Sequence, residues 1–170
     1  PVREAIRKLE LEGLVVMLPR KGAYVANISV KDLMDVLEIR ASLEGLGASL
    51  AAERRNDEDI KNLEELEVEF EEAVRTQNID MLLKKDIEFH ECIFKAANNK
   101  KLEKMINTLW EQVQRFRITY VSDSNASLSL IDEHQSIFNA IKEGNIADSK
   151  KFAIKHIEKA EQFMLEHCTK

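Results

Sequence analysis

The sequence predicts an all-α protein: an antiparallel bundle of six helices, preceded by a short helix and a β-hairpin. Three observations predict this class. Only 5 Gly and 2 Pro occur among the 170 residues, which favours helix. From Ser29 onward, apolar residues recur at helical spacing in six successive segments. The connections between these segments are short, as is typical of antiparallel helix bundles.

The first 28 residues predict a helix followed by a hairpin. Residues 1–12 carry an apolar stripe at helical spacing, and Gly13 is well suited to end that helix. A basic turn then joins two short β-type runs, and Gly22 can supply the positive φ that such a turn needs. The two runs are residues 14–18 and 23–26.

Six long helices are predicted after this segment, and several starts carry a capping residue. Ser29 with Asp32 forms a capping-box-like start, and Asn56 can cap the next helix. The polar stretch 122–127 is predicted to be the clearest loop, and Gly144 breaks the last two helices apart. The predicted helices span 30–54, 57–76, about 79–98, 100–121, 128–142 and 147–167.

Composition and charge exclude several classes of protein. Hydrophobic residues make up 44% and charged residues 33%, which is globular rather than disordered. No apolar run approaches the roughly 18 residues of a membrane span, and no signal peptide is visible. Cys92 and Cys168 give no disulfide framework, so we expect a cytoplasmic protein. Because the chain begins at Pro1 within a helical pattern, we interpret it as part of a longer protein.

The net charge of −6 is unevenly divided. Residues 1–29 hold five basic and three acidic residues, whereas the remainder holds 20 basic and 28 acidic residues. An acidic surface is poorly suited to nucleic acid, because phosphate contacts need cationic side chains. Any nucleic acid would therefore bind the first segment, although so small a basic excess is also compatible with chance.

Polar residues interrupt the apolar stripes of three helices near their middles. Asp86 and His90 lie one turn apart on the third long helix, His134 lies on the fifth, and His156 lies on the sixth. Helices of similar length bring their middles to a similar depth, so these four side chains are predicted to converge. His167 also follows the last stripe, but its place near the chain end predicts a solvated side chain.

Burying imidazoles and a carboxylate destabilises the fold by roughly several kcal/mol. This cost is avoided only if the groups pair with one another or bind a ligand. A divalent ion held by Asp86, His90, His134 and His156 would offset that cost. This ligand set fits zinc, nickel, manganese or iron, and zinc is expected in a purified sample. The alternative is that each histidine is an ordinary core residue bonded to a carbonyl.

A second polar intrusion predicts a cavity beside this site. Arg40 and Glu44 interrupt the stripe of the first long helix, and Arg117 lies beside the stripe of the fourth. An inward arginine near a metal suits a carboxylate ligand, since guanidinium pairs with carboxylate bidentately. The alternative is an Arg40–Glu44 ion pair at the edge of the bundle, with its charges in water.

Together these residues resemble the GntR superfamily of bacterial transcription regulators, and within it the FadR subfamily. The segment PVREAIRKLE resembles the recognition helix of a winged helix-turn-helix domain, and the hairpin around Gly22 resembles its wing. The body resembles the FCD effector domain. The similarity follows that family's Asp/His/His/His metal pattern and a recurrent asparagine, at Asp86-x-x-Phe89-His90, Asn98, Glu133-His134 and His156.

The resemblance implies two domains: the C-terminal part of a winged helix-turn-helix domain at 1–28, and an FCD-like effector-binding and dimerisation domain at 29–170. It implies that Arg3 and Arg7 face operator DNA, that Lys8 and Lys21 contact phosphate, and that Gly22 lets the wing approach the minor groove. The first two helices of such a domain are absent, so we expect this chain alone to bind DNA poorly.

The leading hypothesis is a homodimeric, ligand-responsive transcription regulator without enzymatic activity or membrane contact. A small organic acid would bind at the metal and alter operator binding, with contacts from Arg40, Glu44, Asn98 and Arg117; in a variant, the ion itself is the signal. The rival class is a metal-dependent hydrolase or oxygenase. Against the rival, no separate general base is expected near the ligands, since Glu88, Glu91 and Glu133 lie off the predicted stripes. Glu44 is the one inward exception. A metal-free helical interaction module is the third interpretation.

Overall fold

The computed structural model describes residues 1–26 and 29–168, except the side chains of Arg115 and Cys168. The predicted boundary after residue 28 and the predicted end of the second domain at residue 170 therefore fall outside the described residues. Within the described ranges the elements are α1 (Val2–Leu11), β1 (Val15–Leu18), β2 (Gly22–Val25), α2 (Val30–Arg54), α3 (Asp57–Arg75), α4 (Ile79–Ala96), α5 (Lys100–Ser122), α6 (Ser124–Glu143) and α7 (Ile146–Cys168). The predicted class, a helical bundle preceded by a helix and hairpin, is confirmed.

The helix starts follow the local chemistry of their caps. Ser29 and Asp32 bond each other's backbone at the start of α2, and Asn56 and Asp59 do the same at α3. These reciprocal bonds satisfy N–H groups that the first turn of a helix cannot pair internally. Gly144 ends α6 in the left-handed region, at φ 75°.

The predicted loop at 122–127 is wrong. Helix α5 continues to Ser122 and α6 begins at Ser124, so a single residue, Asp123, separates them. The Asp123 carboxylate accepts hydrogen bonds from the backbone N–H groups of Asn125 and Ala126, at 3.0 and 2.9 Å. The polar residues that suggested a loop instead cap and begin a helix, which residues of these types also favour.

Helix α2 lies at the centre of the bundle and approaches its neighbours closely. A Cβ atom on Gly45 would lie 2.7 Å from Cγ1 of Ile154 in α7, and one on Gly47 would lie 2.8 Å from the Phe94 ring in α4. Glycine at these positions lets the helices pack closer than larger residues would allow. Along α2, Arg40 and Glu44 lie between Leu37 of one apolar cluster and Ala48 of another, so its polar residues occupy the middle of the core.

The segment before the bundle is a helix and a two-stranded antiparallel sheet. The register pairs Val15 with Val25 and Leu18 with Gly22, and Gly22 has the positive φ expected of it, at 101°. Helix α1 buries none of its residues. The amide of Gln112 in α5 donates to the carbonyl of Glu12 at 3.0 Å, which joins this segment to the bundle. No helix among the described residues is long and apolar enough to cross a membrane.

Candidate metal centre

Three histidines from three helices meet in the middle of the bundle, as the stripes predicted. His90 of α4, His134 of α6 and His156 of α7 are all buried, and each offers a ring nitrogen within 4.8 Å of the others'. The Nε2 atoms of His90 and His156 lie 3.2 Å apart. The His134 ring centroid lies 5.6 Å from that of His90 and 5.2 Å from that of His156.

A glutamate side chain faces the Nδ1 atom of each histidine, and those beside His90 and His156 are ionised. Oε2 of Glu44 lies 3.2 Å from His90 Nδ1, and Oε2 of Glu133 lies 2.9 Å from His156 Nδ1. Oε1 of Glu67 lies 3.8 Å from Nδ1 of His134, beyond hydrogen-bonding distance. A carboxylate beside Nδ1 favours the tautomer with its proton there and leaves the Nε2 lone pair available.

The three rings are arranged as ligands that lack a common partner. Neither ring nitrogen of His134 has a hydrogen-bond partner among the described residues, although the side chain is completely buried. Such a group costs about 1–3 kcal/mol when nothing satisfies it. If His90 and His156 carry their protons on Nδ1, their facing Nε2 atoms present lone pairs to each other. A cation among the three rings would remove both costs, and three imidazoles suit a divalent transition metal.

Burial keeps His90 and His156 in the form that binds metal. It lowers the pKa of His90 to about 4, despite the nearby Glu44 carboxylate. Burial also lowers the pKa of His156, against the opposing effect of Glu133. Both imidazoles are therefore neutral at pH 7, which is the state required of a ligand.

Asp86, the predicted fourth ligand, is at the site but is shared with an arginine. Its Oδ2 accepts from Nε of Arg117 at 2.8 Å, and its Oδ1 lies 3.5 Å from Nε2 of His134 and 4.0 Å from Nε2 of His90. Burial raises the pKa of Asp86, but Arg117 and the imidazoles outweigh it and hold that pKa well below its usual range. One oxygen of an ionised carboxylate therefore remains directed at the histidines.

The Arg40–Glu44 pair is inside the bundle rather than at its edge. The Nη2 of Arg40 donates to Oε1 of Glu44 at 2.9 Å, and the two side chains are 6% and 3% exposed. Nε1 of Trp110 donates to the same oxygen at 3.0 Å. Burial raises the pKa of Glu44, but His90 and Arg40 keep it far below its ordinary value, so Glu44 is an anion that links α2, α4 and α5.

The sequence pattern of the FCD domain matches residues 35–159, which include all three histidines. The chain belongs to the FCD domain family. The predicted resemblance to GntR-type regulators carrying this domain is thereby confirmed, while the FadR subfamily stays a prediction.

Similar proteins agree with this assignment. YdhC, an HTH-type transcriptional regulator of Bacillus subtilis, is 26% identical over 157 residues, covering 92% of this FCD protein and 70% of YdhC. The Nta operon transcriptional regulator of Aminobacter aminovorans is 28% identical over 166 residues, covering 98% and 77% of the two chains. Because the family and these relatives are transcription regulators, the prediction of a regulator rather than an enzyme is confirmed.

Solved structures share the fold. McbR/YncC of E. coli superposes with a TM-score of 0.87 at 18% identity, covering 96% of this FCD protein and 83% of that chain. A GntR transcriptional regulator of Rhodococcus sp. RHA1 superposes with a TM-score of 0.76 at 18% identity, covering 98% and 79%. The arrangement of helices is thus that of known regulators.

Sequence reasoning missed three side chains of the site. Glu133 was expected off the stripe and so away from the ligands, but its carboxylate contacts His156 Nδ1 at 2.9 Å and accepts from Ser129 Oγ and Lys159 Nζ at 2.6 and 2.8 Å. Glu67 and Trp110 were not singled out, yet each occupies a helical-spacing position on an apolar stripe, Glu67 four residues after Leu63 and Trp110 four after Ile106. The helical spacing that indicated the histidines therefore also applied to Glu67 and Trp110.

Two predicted positions lie away from the centre. Asn98, predicted to contact the effector, is exposed just beyond the end of α4 with a φ of 47°, so the structure does not bring it to the histidines. Its left-handed backbone conformation is one that asparagine tolerates well, and its contact with an effector stays a prediction. His167 is exposed, as expected, and its ring stacks on Phe163.

The predicted DNA-facing residues are all at the surface. Arg3, Arg7 and Lys8 are exposed on α1, and Lys21 and Gly22 are exposed at the hairpin turn. Their side chains are free of the bundle core, as phosphate or base contacts would require.

Proposed function

We propose that this regulator senses a small carboxylate at a metal ion inside residues 29–170. Residues 1–28 are the C-terminal part of the winged helix-turn-helix domain that binds operator DNA in the full-length protein. The protein acts in the cytoplasm as a homodimer. Binding of the acid in the bundle alters the placement of the two DNA-binding segments on the operator.

The metal part of the proposal is supported by one observation above all. The histidines converge, ionised Glu44 and Glu133 lie beside Nδ1 of His90 and His156, and the completely buried Nε2 of His134 has no partner among the described residues. His90, His134 and His156 are the ligands, and the free oxygen of Asp86 supplies the fourth. Zinc, nickel, manganese and iron all suit this set, and zinc is the ion expected in a purified sample.

The effector part is supported by two arginines beside the histidines. Arg40 and Arg117 are buried, and each keeps one N–H group without a partner in the described part of the chain, at Nε and Nη2 respectively. A bound metal with open positions and two guanidinium donors would together suit a carboxylate. Glu44 acts by holding Arg40 and His90 rather than by touching the acid.

The DNA and dimer parts are supported by surface features. The exposed cations Arg3, Arg7, Lys8 and Lys21, with Gly22, form the DNA-facing set. Exposed apolar side chains occur on neighbouring helices of the bundle, at Ile39 and Leu46 in α2 and Met105 in α5. Such a surface suits the interface between two copies, and a two-fold dimer matches the symmetry of operators.

Metal analysis of gently purified protein tests the central claim. We expect about one divalent ion per chain by native mass spectrometry, and near-complete loss of the ion in His134→Ala. His167→Ala removes an exposed histidine outside the cluster and should keep the ion. Well under one ion per chain, after incubation with each of the four candidate metals, would contradict the proposal.

A further inference from the structure

The cavity beside the histidines has two chemically different ends. It lies among α2, α4, α5 and α7 and encloses about 30 Å³. One end is polar and is formed by Arg40, Asp86, His90, Arg117 and His156. The rest of the lining forms the apolar end, whose main contributors belong to one apolar cluster: Leu33, Leu37, Val113, Phe116, Ile157 and Met164.

The polar end is built for a single anionic group. Arg40 is 5% exposed and Arg117 is 8% exposed, and each is held on one side by a carboxylate, Glu44 and Asp86 respectively. The Nε of Arg40 and the Nη2 of Arg117 are left as buried donors without acceptors in the described residues. One carboxylate beside them would accept from both guanidinium groups, whose charge and geometry suit it.

The apolar end offers almost nothing to a polar substituent. Among the described residues that line it, Tyr120 alone carries a side-chain hydroxyl, and no Ser, Thr, Asn or Gln contributes. The hydroxyls of a sugar acid, or the second charge of a dicarboxylic acid, would therefore be buried without partners. A hydrocarbon group loses nothing there, because its contacts with Leu37, Val113 and Met164 replace contacts with water.

We propose that the effector is a monocarboxylic acid whose remaining body is hydrocarbon, such as an aliphatic or aromatic acid. This inference rests on the proposed function, in which a carboxylate binds at this site. The carboxylate lies with Arg40 and Arg117, and the hydrocarbon points towards Phe116 and Met164. The cavity now has room for only one or two water molecules, so such an acid displaces side chains at the apolar end. Met164 is suited to that change, since its unbranched side chain repacks readily.

Titration of the zinc-loaded full chain with four acids tests the class. The probes are hexanoate, benzoate, gluconate and succinate, and the readout is the fluorescence of Trp110, the one tryptophan of the chain, which bonds Glu44. We expect hexanoate or benzoate to bind at least tenfold more tightly than gluconate and succinate. Equal or tighter binding of gluconate or succinate would overturn the proposal.

A substitution that fills the apolar end of the cavity tests where the hydrocarbon part of the acid lies. Ala160 lines the cavity from α7 and is only partly buried, so Ala160→Phe should fold while occupying this end. We expect this variant to lose at least tenfold in hexanoate affinity and to change its acetate affinity by less than twofold. Ala147→Phe, at an exposed position of the same helix, should change neither. The placement of the hydrocarbon would be contradicted if Ala160→Phe kept its hexanoate affinity, or if its acetate affinity fell as much as its hexanoate affinity.

The outcomes separate this inference from the proposed function. Preference for gluconate or succinate removes the hydrocarbon class but leaves a carboxylate-sensing regulator. Binding of zinc without binding of any of the acids removes both the class and the effector part of the proposed function. Absence of zinc binding removes the metal part alone, since the preference among acids is then measured on the metal-free chain.

Discussion

At the scale of single residues, the proposed metal site depends on groups that are not themselves proposed ligands. Glu44 and Glu133 contact the Nδ1 atoms of His90 and His156, and Glu44 also holds Arg40 and Trp110. Such contacts fix the ring orientation and raise the basicity of the ligand nitrogen. The ligands are therefore only part of what determines metal affinity.

Replacing Glu133 by glutamine should weaken metal binding. The neutral amide can still accept a bond from His156, but it removes the negative charge that makes the imidazole a better ligand. We expect zinc affinity, measured by competition with a chelator, to fall about 10–100-fold. Glu143→Gln, at an exposed position on the same helix, is the matched control. Affinity within twofold of the native protein would show that Glu133 serves packing alone.

Glu67 should make the metal-free protein less stable at alkaline pH. Burial, assisted by Glu71, raises the pKa of Glu67 from 4.5 to about 8. The folded protein thus retains a proton that the unfolded chain releases. The contribution of Glu67 to the free energy of unfolding is therefore highest below pH 4.5 and falls as the pH rises to about 8. Glu67→Gln cannot ionise. In chelator-treated protein we expect Glu67→Gln to raise the free energy of unfolding by about 1–3 kcal/mol more at pH 8 than at pH 5.

Urea unfolding at the two pH values measures this difference. Glu65→Gln, exposed on the same helix, is the control and should show no such pH dependence. An effect of Glu67→Gln that is equal at pH 5 and pH 8 would mean that the carboxylate ionises normally in the folded protein. The same variant should bind zinc no better than the native chain, since the carboxylate beside His134 is lost.

At the scale of secondary-structure elements, the junction between α5 and α6 joins the cavity wall to the helix that carries His134. Tyr120 and Val121 line the cavity from the last turn of α5, and Asp123 begins α6 directly afterwards. Because only Asp123 separates the two helices, no flexible linker lies between the cavity wall and the helix that carries His134. Motion of one helix should therefore reach the other.

Removing the cap at this junction should destabilise the fold measurably. Asp123→Ala deletes the acceptor for the N–H groups of Asn125 and Ala126, for which we expect a loss of about 0.5–2 kcal/mol in urea unfolding. Asp132→Ala, at an exposed position in the middle of the same helix, should cost less than 0.5 kcal/mol, roughly the limit for ordinary surface changes. Equal effects of the two variants would indicate a flexible loop, as the polar composition of 122–127 first suggested.

The elements and the histidine cluster were predictable because both follow from periodicity. The 3.6-residue repeat placed His90, His134 and His156 on core faces, and burial made their convergence necessary. Glu133 was not predictable in the same way, because its carboxylate reaches the site from beside the stripe through bonds to Ser129 and Lys159. Asn98 came from the family resemblance and not from periodicity; it is exposed just beyond the end of α4, and its contact with an effector stays a prediction.

At the scale of the whole molecule, α5 connects the cavity with residues 1–26, which we propose belong to the DNA-binding domain. Its inner face carries Trp110 and Arg117, which contact Glu44 and Asp86, and its outer face carries Gln112, which donates to the Glu12 carbonyl. Helix α1 buries no residue of its own, so its position relative to the bundle depends on few contacts. A shift of α5 caused by an acid in the cavity would therefore move the attachment point of this segment.

Gln112→Ala should loosen the attachment of residues 1–26 to the bundle without disturbing the histidine cluster. The substitution removes the hydrogen bond to Glu12, while the side chains of α5 that face the cavity stay in place. We expect backbone amides of residues 12–26 to exchange with deuterium several-fold faster, because the segment opens more often, and zinc affinity to change by less than twofold. Gln162→Ala, exposed on α7, should leave both quantities unchanged. Unaltered amide exchange in Gln112→Ala would mean that another residue of α5 joins this segment to the bundle. A fall in zinc affinity would show that the outer and inner faces of α5 are coupled even without an effector.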